Sequence, residues 1–312
     1  MPRKTAFEEL IKKGYVQRSD GRKIWDIANR SLLYMTKDLA EAFLRLQSHP
    51  RYKATIVNIE MELLEKVAKD FLFKAGSEPF NLIDISCGNG KKAASLMSLL
   101  QDKVDINYLP VSSGSYLVNV ALENVRKENF QNVKDAGGMV ANLDDFQDLF
   151  KNARSSGYMR NVILLLGSVL ASYDLHEYLF NLTLKMSHGD SLIIGNAIRT
   201  GDRFSNIENY KHPLFPEWFG CLMSEMGFED GQIEYDARFE NGRVECFYTL
   251  KENVVLDFEG QRFEFKKGDE VIVAVLYKYY EQELLKFCKM YFREVELLKD
   301  RDGEQAIVVC KK

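Results

Sequence analysis

The sequence predicts an α/β protein: a Rossmann-like parallel sheet with helices on both faces, an N-terminal helical segment and an inserted α+β cap. Three observations predict it. A short apolar run, Leu82-Ile83-Asp84-Ile85, passes through Gly88-Asn89-Gly90 into a helix-like stretch, KKAASLMSLL. Strand-like and helix-like stretches then alternate as far as Ala197, and repeated strand-helix-strand units imply a parallel sheet covered on both sides. After Ile198 the alternation gives way to short strands joined by polar turns, as expected of hairpins.

Taken in order, residues 1–79 read mainly as helices. Apolar positions recur at helical spacing in Phe7, Leu10, Ile11 and again in Ile59, Leu63, Leu64, Val67, Phe71. A further helix begins at Asp38 with Thr36 as its candidate cap. His49-Pro50-Arg51-Tyr52 is an irregular corner, because Pro50 interrupts the helical pattern, and it reads as a plain connector or a ligand-contacting loop. Predicted core strands are Phe80 to Ile85, Asp105 to Val111, Gly138 to Asn142, Asn161 to Leu166 and Ser191 to Ala197, with helices at Tyr116 to Glu128 and His176 to Met186. A polar loop from Thr200 and an aromatic helix, Leu214 to Gly227, follow. Cap strands are expected at 232–239, 243–250, 253–258, 262–265 and 270–276, then a helix at 281–292 and strands at 295–299 and 304–310. The implied domains are an N-terminal helical segment contributing to the cap (1–60), a core (61–198), the cap (199–280) and a return to the core (281–312).

Composition narrows the function classes. With 46% hydrophobic and 28% charged residues the chain reads as a globular protein, and a net charge of −4 without a basic block argues against nucleic acid as a partner. Five scattered cysteines with no C-x-x-C pair read as reduced thiols, neither a disulfide frame nor a zinc site. Four histidines show no metal-ligand spacing, so no metal is expected, and His188 beside Gly189-Asp190 reads as a surface turn residue. No apolar stretch reaches the ~18 residues of a membrane span, and a cytoplasmic protein without membrane partners is expected. Trp218, Phe215, Phe219 and Phe228 read as core aromatics or as a pocket wall. No G-x-S-x-G elbow or P-loop lysine motif is present.

Chemistry is expected at strand exits, where ligands of open α/β sheets bind. Glycines let a backbone approach a nucleotide-like ligand, and a helix start offers unpaired N–H groups. The spacing D-x-x-x-G-x-G at Asp84, Gly88 and Gly90 resembles the first motif of class I methyltransferases that use S-adenosylmethionine (SAM). By itself it points to a ligand site more than to a tight structural turn. The third glycine of a dinucleotide fingerprint would fall at Ala93, which speaks against a nicotinamide oxidoreductase.

Several stretches in one order resemble the amino-acid Nα-methyltransferases typified by the histidine methyltransferase of ergothioneine biosynthesis, from about Tyr52 to the C-terminus. The resemblance implies a class I methyltransferase sheet and a cofactor site formed by Asp84, Ser86, Gly88, Gly90 and Lys92, with Ser86 standing where the family has glycine. In Tyr108-Leu-Pro-Val-Ser112 the family's ribose-binding aspartate is Ser112. Asn142 and Leu143 stand at the adenine position, although Asn142 reads equally as a cap for the following helix. Gly167 and Ser168 match the segment that passes the methionine portion, and the family's substrate-binding asparagine is Ser172 here, followed by Tyr173 and Asp174.

The segment Val273-Ala274-Val275-Leu276-Tyr277-Lys278-Tyr279 matches the family's tyrosine, lysine and aromatic. The glutamate and serine that hold imidazole in the histidine enzymes are Ala274 and Leu276. Losing charge-assisted bonds of this kind costs ~1.5 kcal/mol or more each, so the resemblance implies an acceptor other than histidine. Tyr173 and Tyr277 are the candidate catalytic residues, and Tyr52, Ser172, Tyr210, Ala274 and Leu276 the candidate substrate contacts. The expected function is SAM-dependent methylation of a small-molecule amine or amino-acid-like acceptor, with S-adenosylhomocysteine as product. A catalytically silent binding protein of the same fold is the alternative.

Overall fold

The computed structural model describes residues 2–68, 78–101, 103–201 and 207–312. Phe71 and the loop residues 202–206 lie outside this set. The chain divides into two compact units, one of Met1–Leu46 with Arg203–Tyr277, the other of Gln47–Asp202 with Lys278–Lys312.

The second unit holds the parallel-rich sheet. Its strands are β3 (Phe80–Ile85), β4 (Ile106–Ser112), β5 (Val133–Ala136), β6 (Met139–Val140), β7 (Arg160–Leu165), β8 (Ser191–Ala197), β14 (Glu294–Lys299) and β15 (Gln305–Lys311). They lie in the order β14-β15-β8-β7-β3-β4-β5, with β6 also on β4. The pairs from β8 through β4 to β5 are parallel, and β15 is antiparallel to both β8 and β14. This is the expected class I methyltransferase sheet, closed by the expected helix and hairpin.

Every residue of β3 is buried, as a central strand covered on both faces requires. On one face Phe80, Leu82, Ile106, Tyr108, Val162, Leu164, Ile193 and Ile307 form a core with Leu63 and Leu64 of α4 (Asn58–Val67), Leu96 and Met97 of α5 (Lys91–Leu99), and Val118 and Leu122 of α6 (Ser115–Glu128). Ile83, Leu109, Ile163, Leu192 and Ile194 alternate to the other face. There Cys310 of β15 meets Cys288 of α10 (Glu281–Tyr291), which packs on α8 (Leu175–Thr183). At the entry end of the sheet three in-register amides form a ladder. Asn107 Nδ2 donates to Asn81 Oδ1 at 2.8 Å, Asn81 Nδ2 donates to Asn161 Oδ1 at 3.0 Å, and Asn161 donates to Asp190.

The first unit is built on a five-stranded sheet, β1-β2-β13-β10-β9. Its strands are β1 (Tyr15–Gln17), β2 (Lys23–Asp26), β9 (Ile233–Glu240), β10 (Arg243–Leu250) and β13 (Glu270–Tyr277), with a separate hairpin of β11 (Val254–Phe258) and β12 (Gln261–Phe265). The hairpin strands follow the sequence reading. β1 and β2 do not, because three and four residues with polar interruptions carry no period-two signal. The N-terminal segment is therefore helical in α1 (Pro2–Lys13) and α2 (Lys37–Ser48), with a two-stranded ribbon between them. Thr36 caps α2 through its hydroxyl, 3.4 Å from Leu39 N. Trp218, Phe215 and Phe219 of α9 (Leu214–Met226) are buried core aromatics, and the Trp218 indole donates to Leu33 O at 3.1 Å.

Two further differences have local causes. Pro50 breaks the helical run as expected, with α2 ending at Ser48 and His49 extended, but the irregular corner is confined to His49: Pro50 starts the short α3 (Pro50–Tyr52) at the first position, where its missing N–H costs nothing, and the chain runs on through a π-helical turn, Lys53–Val57, into α4. The strand expected at 138–142 shrinks to β6, and Asn142 does not cap the next helix, α7 (Phe146–Arg154), whose cap position is Asp145.

Candidate functional site: the strand exits of the parallel sheet

β3 ends at Ile85, and the chain turns through Ser86, Cys87, Gly88, Asn89 and Gly90 into α5. Gly88 and Gly90 hold φ +55° and +72°, in the left-handed region where a Cβ is penalised. Ser86 holds φ +62° although it has a side chain, at the position where the resembled family has glycine. The turn is latched on both sides. Ser86 N donates to Val111 O at 2.9 Å, and Asn124 Nδ2 of α6 donates to Asn89 O at 2.9 Å. A Cβ on Gly90 would come within 3.0 Å of Ala121, so α6 packs directly on the turn. Above Gly88 lies the side chain of Gln47, whose Nε2 would be 3.1 Å from a Cβ there. Gln47 Oε1 is buried and has no hydrogen-bond partner.

Asp84, the penultimate residue of β3, is buried and accepts from the Tyr108 hydroxyl at 3.0 Å. Burial pushes its carboxyl up to about 6, against the opposing pull of the Tyr108 bond and the Lys92 charge. The same burial, with the neighbouring carboxylate, raises the Tyr108 phenol, which therefore stays a donor.

β4 exits at Ser112, fully buried, whose hydroxyl oxygen has no hydrogen-bond partner. A buried hydroxyl without a partner costs ~1–3 kcal/mol, which makes this an open acceptor and donor beside the turn. Asn142 is exposed and Leu143 is buried, with the Leu143 carbonyl accepting from Tyr178 OH at 2.9 Å.

β7 exits through Gly167 (φ +76°) and Ser168 (φ +56°) into a short helical turn, Leu170–Ser172. Ser168 is pinned to β8: its N–H donates to Gly195 O at 3.0 Å and its Oγ accepts from Ala197 N at 3.1 Å. Gly167 N donates to Glu60 Oε1 at 2.7 Å, and Glu60 Oε2 pairs with Lys92 Nζ at 2.6 Å. The expected cofactor residues from Asp84 to Lys92 are thus tied to Gly167, with Ser112 at the next strand exit. Ser172 is half-buried, and the Tyr173 ring lies tilted 4.6 Å from the Tyr178 ring while its carbonyl accepts from Tyr279 OH at 3.1 Å. Tyr173, Tyr178 and Leu143 form one chain of contacts. Tyr52 ends α3 half-buried.

In the other unit, Ala274 pairs with Cys246 and Cys246 with Ala237, while Leu276 pairs with Val244 and Val244 with Phe239. Directly opposed residues share a face, so the two positions stand among apolar and thiol groups. Tyr210 belongs to this side: its phenol is pushed up by burial and by the Cys246 thiol, and its ring lies 5.4 Å from Phe215. Tyr277 alternates to the opposite face, where it packs with Phe247, Ile272 and Val275 and lies 3.5 Å from Arg243 Nη1. Ala274 and Leu276 share a face, and Tyr210 lies by the Cys246 thiol opposite Ala274, while Tyr277 is on the other face.

Glu60, Gln47 and Asn124, which touch Gly167, Gly88 and Asn89, carried no signal in the sequence. An acid inside an amphipathic helix reads as a solvated charge, and only its 1% exposure marks it otherwise. Among the described residues no group of histidine, cysteine and acid could hold a metal ion, and no helix is long and apolar enough to cross a membrane.

Comparison with known proteins adds the family. Residues 29–203 match the family model described as histidine-specific methyltransferase, SAM-dependent. The chain is similar to DesVI of Streptomyces venezuelae, at 14% identity over 88% of this chain and 99% of that one, with a TM-score of 0.43. It is similar to human N-acetylserotonin methyltransferase in complex with SAM, at 12% identity over 91% and 58% of the two chains, with a TM-score of 0.44. A third likeness is SAM-bound CalS10, an amino pentose methyltransferase from Micromonospora echinaspora, at 11% identity over 89% and 98% and a TM-score of 0.39. A search of the curated proteins finds no match. The family model covers more than half of the chain and includes Asp84, Gly88, Lys92, Ser112 and Gly167, and the chain therefore belongs to the SAM-dependent, histidine-specific methyltransferase family.

Proposed function

We propose that this SAM-dependent methyltransferase acts on a small-molecule amine or amino-acid-like acceptor other than histidine. The observation that carries the reading is the apolar setting of Ala274 and Leu276, which face Cys246 and Val244. Protonated or hydrogen-bonding imidazole gains nothing from such a surface, while an aliphatic or aromatic side chain does. Tyr210, kept neutral by its raised phenol, supplies a donor for one polar group of the acceptor.

The residues at the strand exits fit the cofactor. Gly88 and Gly90 keep side chains off the turn, and the Ser112 hydroxyl and the Gln47 carbonyl are buried polar atoms that lack partners. Asp84, Ser86, Gly88, Gly90 and Lys92 would hold the cofactor with Gly167 and Ser168, Ser112 taking the ribose and Asn142 and Leu143 the adenine. When bound, SAM supplies a methyl group on a sulfonium, an electrophile that needs only an acceptor lone pair in line with it. The protein's work is then to hold the acceptor, exclude water and leave its nitrogen unprotonated, which needs no dedicated base.

Ser112 also favours a second reading. A serine offers neither the charge nor the two acceptor oxygens of an aspartate, as a silent relative with a lapsed cofactor site would show. Calorimetry with SAM, followed by mass spectrometry of an amine and amino-acid panel incubated with protein and SAM, separates the two. Binding with a mass gain of one methyl on an acceptor other than histidine supports the proposal. Absence of binding at millimolar SAM supports the silent reading, and methylation of histidine alone overturns the acceptor assignment.

A further inference from the structure

Glu60 lies on α4, outside every motif that marks the cofactor turns, yet its carboxylate joins two of them. Oε2 pairs with Lys92 Nζ at 2.6 Å, at the start of α5. Oε1 accepts from Gly167 N at 2.7 Å, at the exit of β7. The Glu60 side chain is 1% exposed and that of Lys92 14% exposed, so the pair is shielded from water. Room for it is made by Gly195 of β8, where a Cβ would come within 2.3 Å of Glu60 Oε1. Gly167 contributes as well, since a Cβ there would lie 3.2 Å from Lys92 Nζ.

A buried carboxylate with one oxygen on an ammonium and the other on a peptide N–H does more than balance charge. A lysine side chain has about 2 kcal/mol of rotamer entropy to lose when a ligand fixes it, and Glu60 removes that freedom beforehand. An ammonium has three N–H donors, and one is directed at Glu60, which leaves others for an anion.

We propose that Glu60 is a positioning residue for the amino-acid end of the cofactor: it fixes the Lys92 ammonium and the Gly167 peptide in the arrangement that receives that end. The proposal rests on the cofactor placement given above. It separates Glu60 from a merely structural ion pair, because it ties the residue to one end of the ligand and not to the fold at large.

The test compares two ligands by calorimetry: S-adenosylhomocysteine, which carries the amino-acid end, and 5′-methylthioadenosine, which lacks it. Glu60→Gln keeps the size and the Gly167 acceptor but removes the charge. It is expected to weaken S-adenosylhomocysteine about tenfold or more while 5′-methylthioadenosine stays within about twofold. Glu60→Asp, too short to reach both partners, should show the same selective loss, and it serves if the glutamine variant does not fold. Lys92→Met combined with Glu60→Gln should lose little more than Lys92→Met alone. Equal weakening of both ligands, or no weakening of either, overturns the proposal. If the unaltered protein binds neither ligand, the cofactor placement itself fails and Glu60 falls with it.

Discussion

The Tyr108 hydroxyl donates to Asp84 Oδ2 at 3.0 Å across the β3–β4 pair, and the carboxyl it serves titrates near 6 because it is buried. Two opposing pH effects follow. In the unliganded protein the folded value lies above the ordinary 3.8, so the folded state holds a proton between pH 4 and 6 that the unfolded chain has released. Asp84 therefore contributes stability that is present below pH 4 and is lost as pH rises through 6. Denaturant melts across this range should show a decline that Asp84→Asn flattens.

Cofactor binding should run the other way. SAM carries positive groups and hydrogen-bond donors, which favour the Asp84 anion, so binding between pH 5 and 6 should release a proton. Calorimetry in buffers of different ionisation enthalpy measures that proton. Tyr108→Phe removes a bond that holds the carboxyl down, and a carbon-detected NMR titration should find Asp84 shifted further upward.

Ser112→Asp should tighten SAM binding about tenfold, because a carboxylate accepts from two ribose hydroxyls where the serine oxygen has no partner. The same change buries an unpaired charge, so the Tm should fall without ligand, and saturating SAM should narrow the difference. Unchanged affinity would place the ribose elsewhere.

The turn makes opposite demands at two positions. Ser86→Gly relieves a left-handed residue with a side chain and should stabilise the protein by about 1 kcal/mol in a thermal melt. Gly90→Ala adds a Cβ within 3.0 Å of Ala121 at φ +72°, and should cost more than about 2 kcal/mol and weaken SAM binding. Gly14→Ala, at φ +65° with open space around it, is the control: a loss of about 1 kcal/mol and no effect on SAM.

Acceptor choice is tested by restoring what the cap sheet lacks. The double variant Ala274→Glu, Leu276→Ser should acquire methyl transfer to histidine in a radiolabel assay in which the unaltered protein is expected to show none. Failure to gain it, with SAM binding intact, would move the acceptor away from this face.

The parallel sheet was legible because its strands are continuous apolar runs bounded by turn residues: Phe80–Ile85 and Ser191–Ala197 coincide with the observed strands. β1 and β2 were not, since so short a ribbon is held by β13 and not by its own pattern. The turn residues Gly88, Gly90 and Gly167 could be read because left-handed backbone favours glycine locally. Glu60 and Gln47 could not, because burial of a polar side chain is a property of what packs around it. The separation of Tyr277 from Ala274 and Leu276 follows from strand alternation once β13 extends to Tyr277, one residue beyond the strand read from sequence.

The amide ladder of Asn107, Asn81 and Asn161 lies at the far end of the strands whose exits carry the candidate site. Slipping any one strand by a residue would strand its amide among leucines and isoleucines, without a partner. The ladder thus behaves as an index pin: it sets how far each strand is advanced, and so levels Ser86, Ser112 and Gly167 against one another from the opposite end of the sheet. Asn81→Leu should then blur the geometry of a candidate cofactor site that it does not touch.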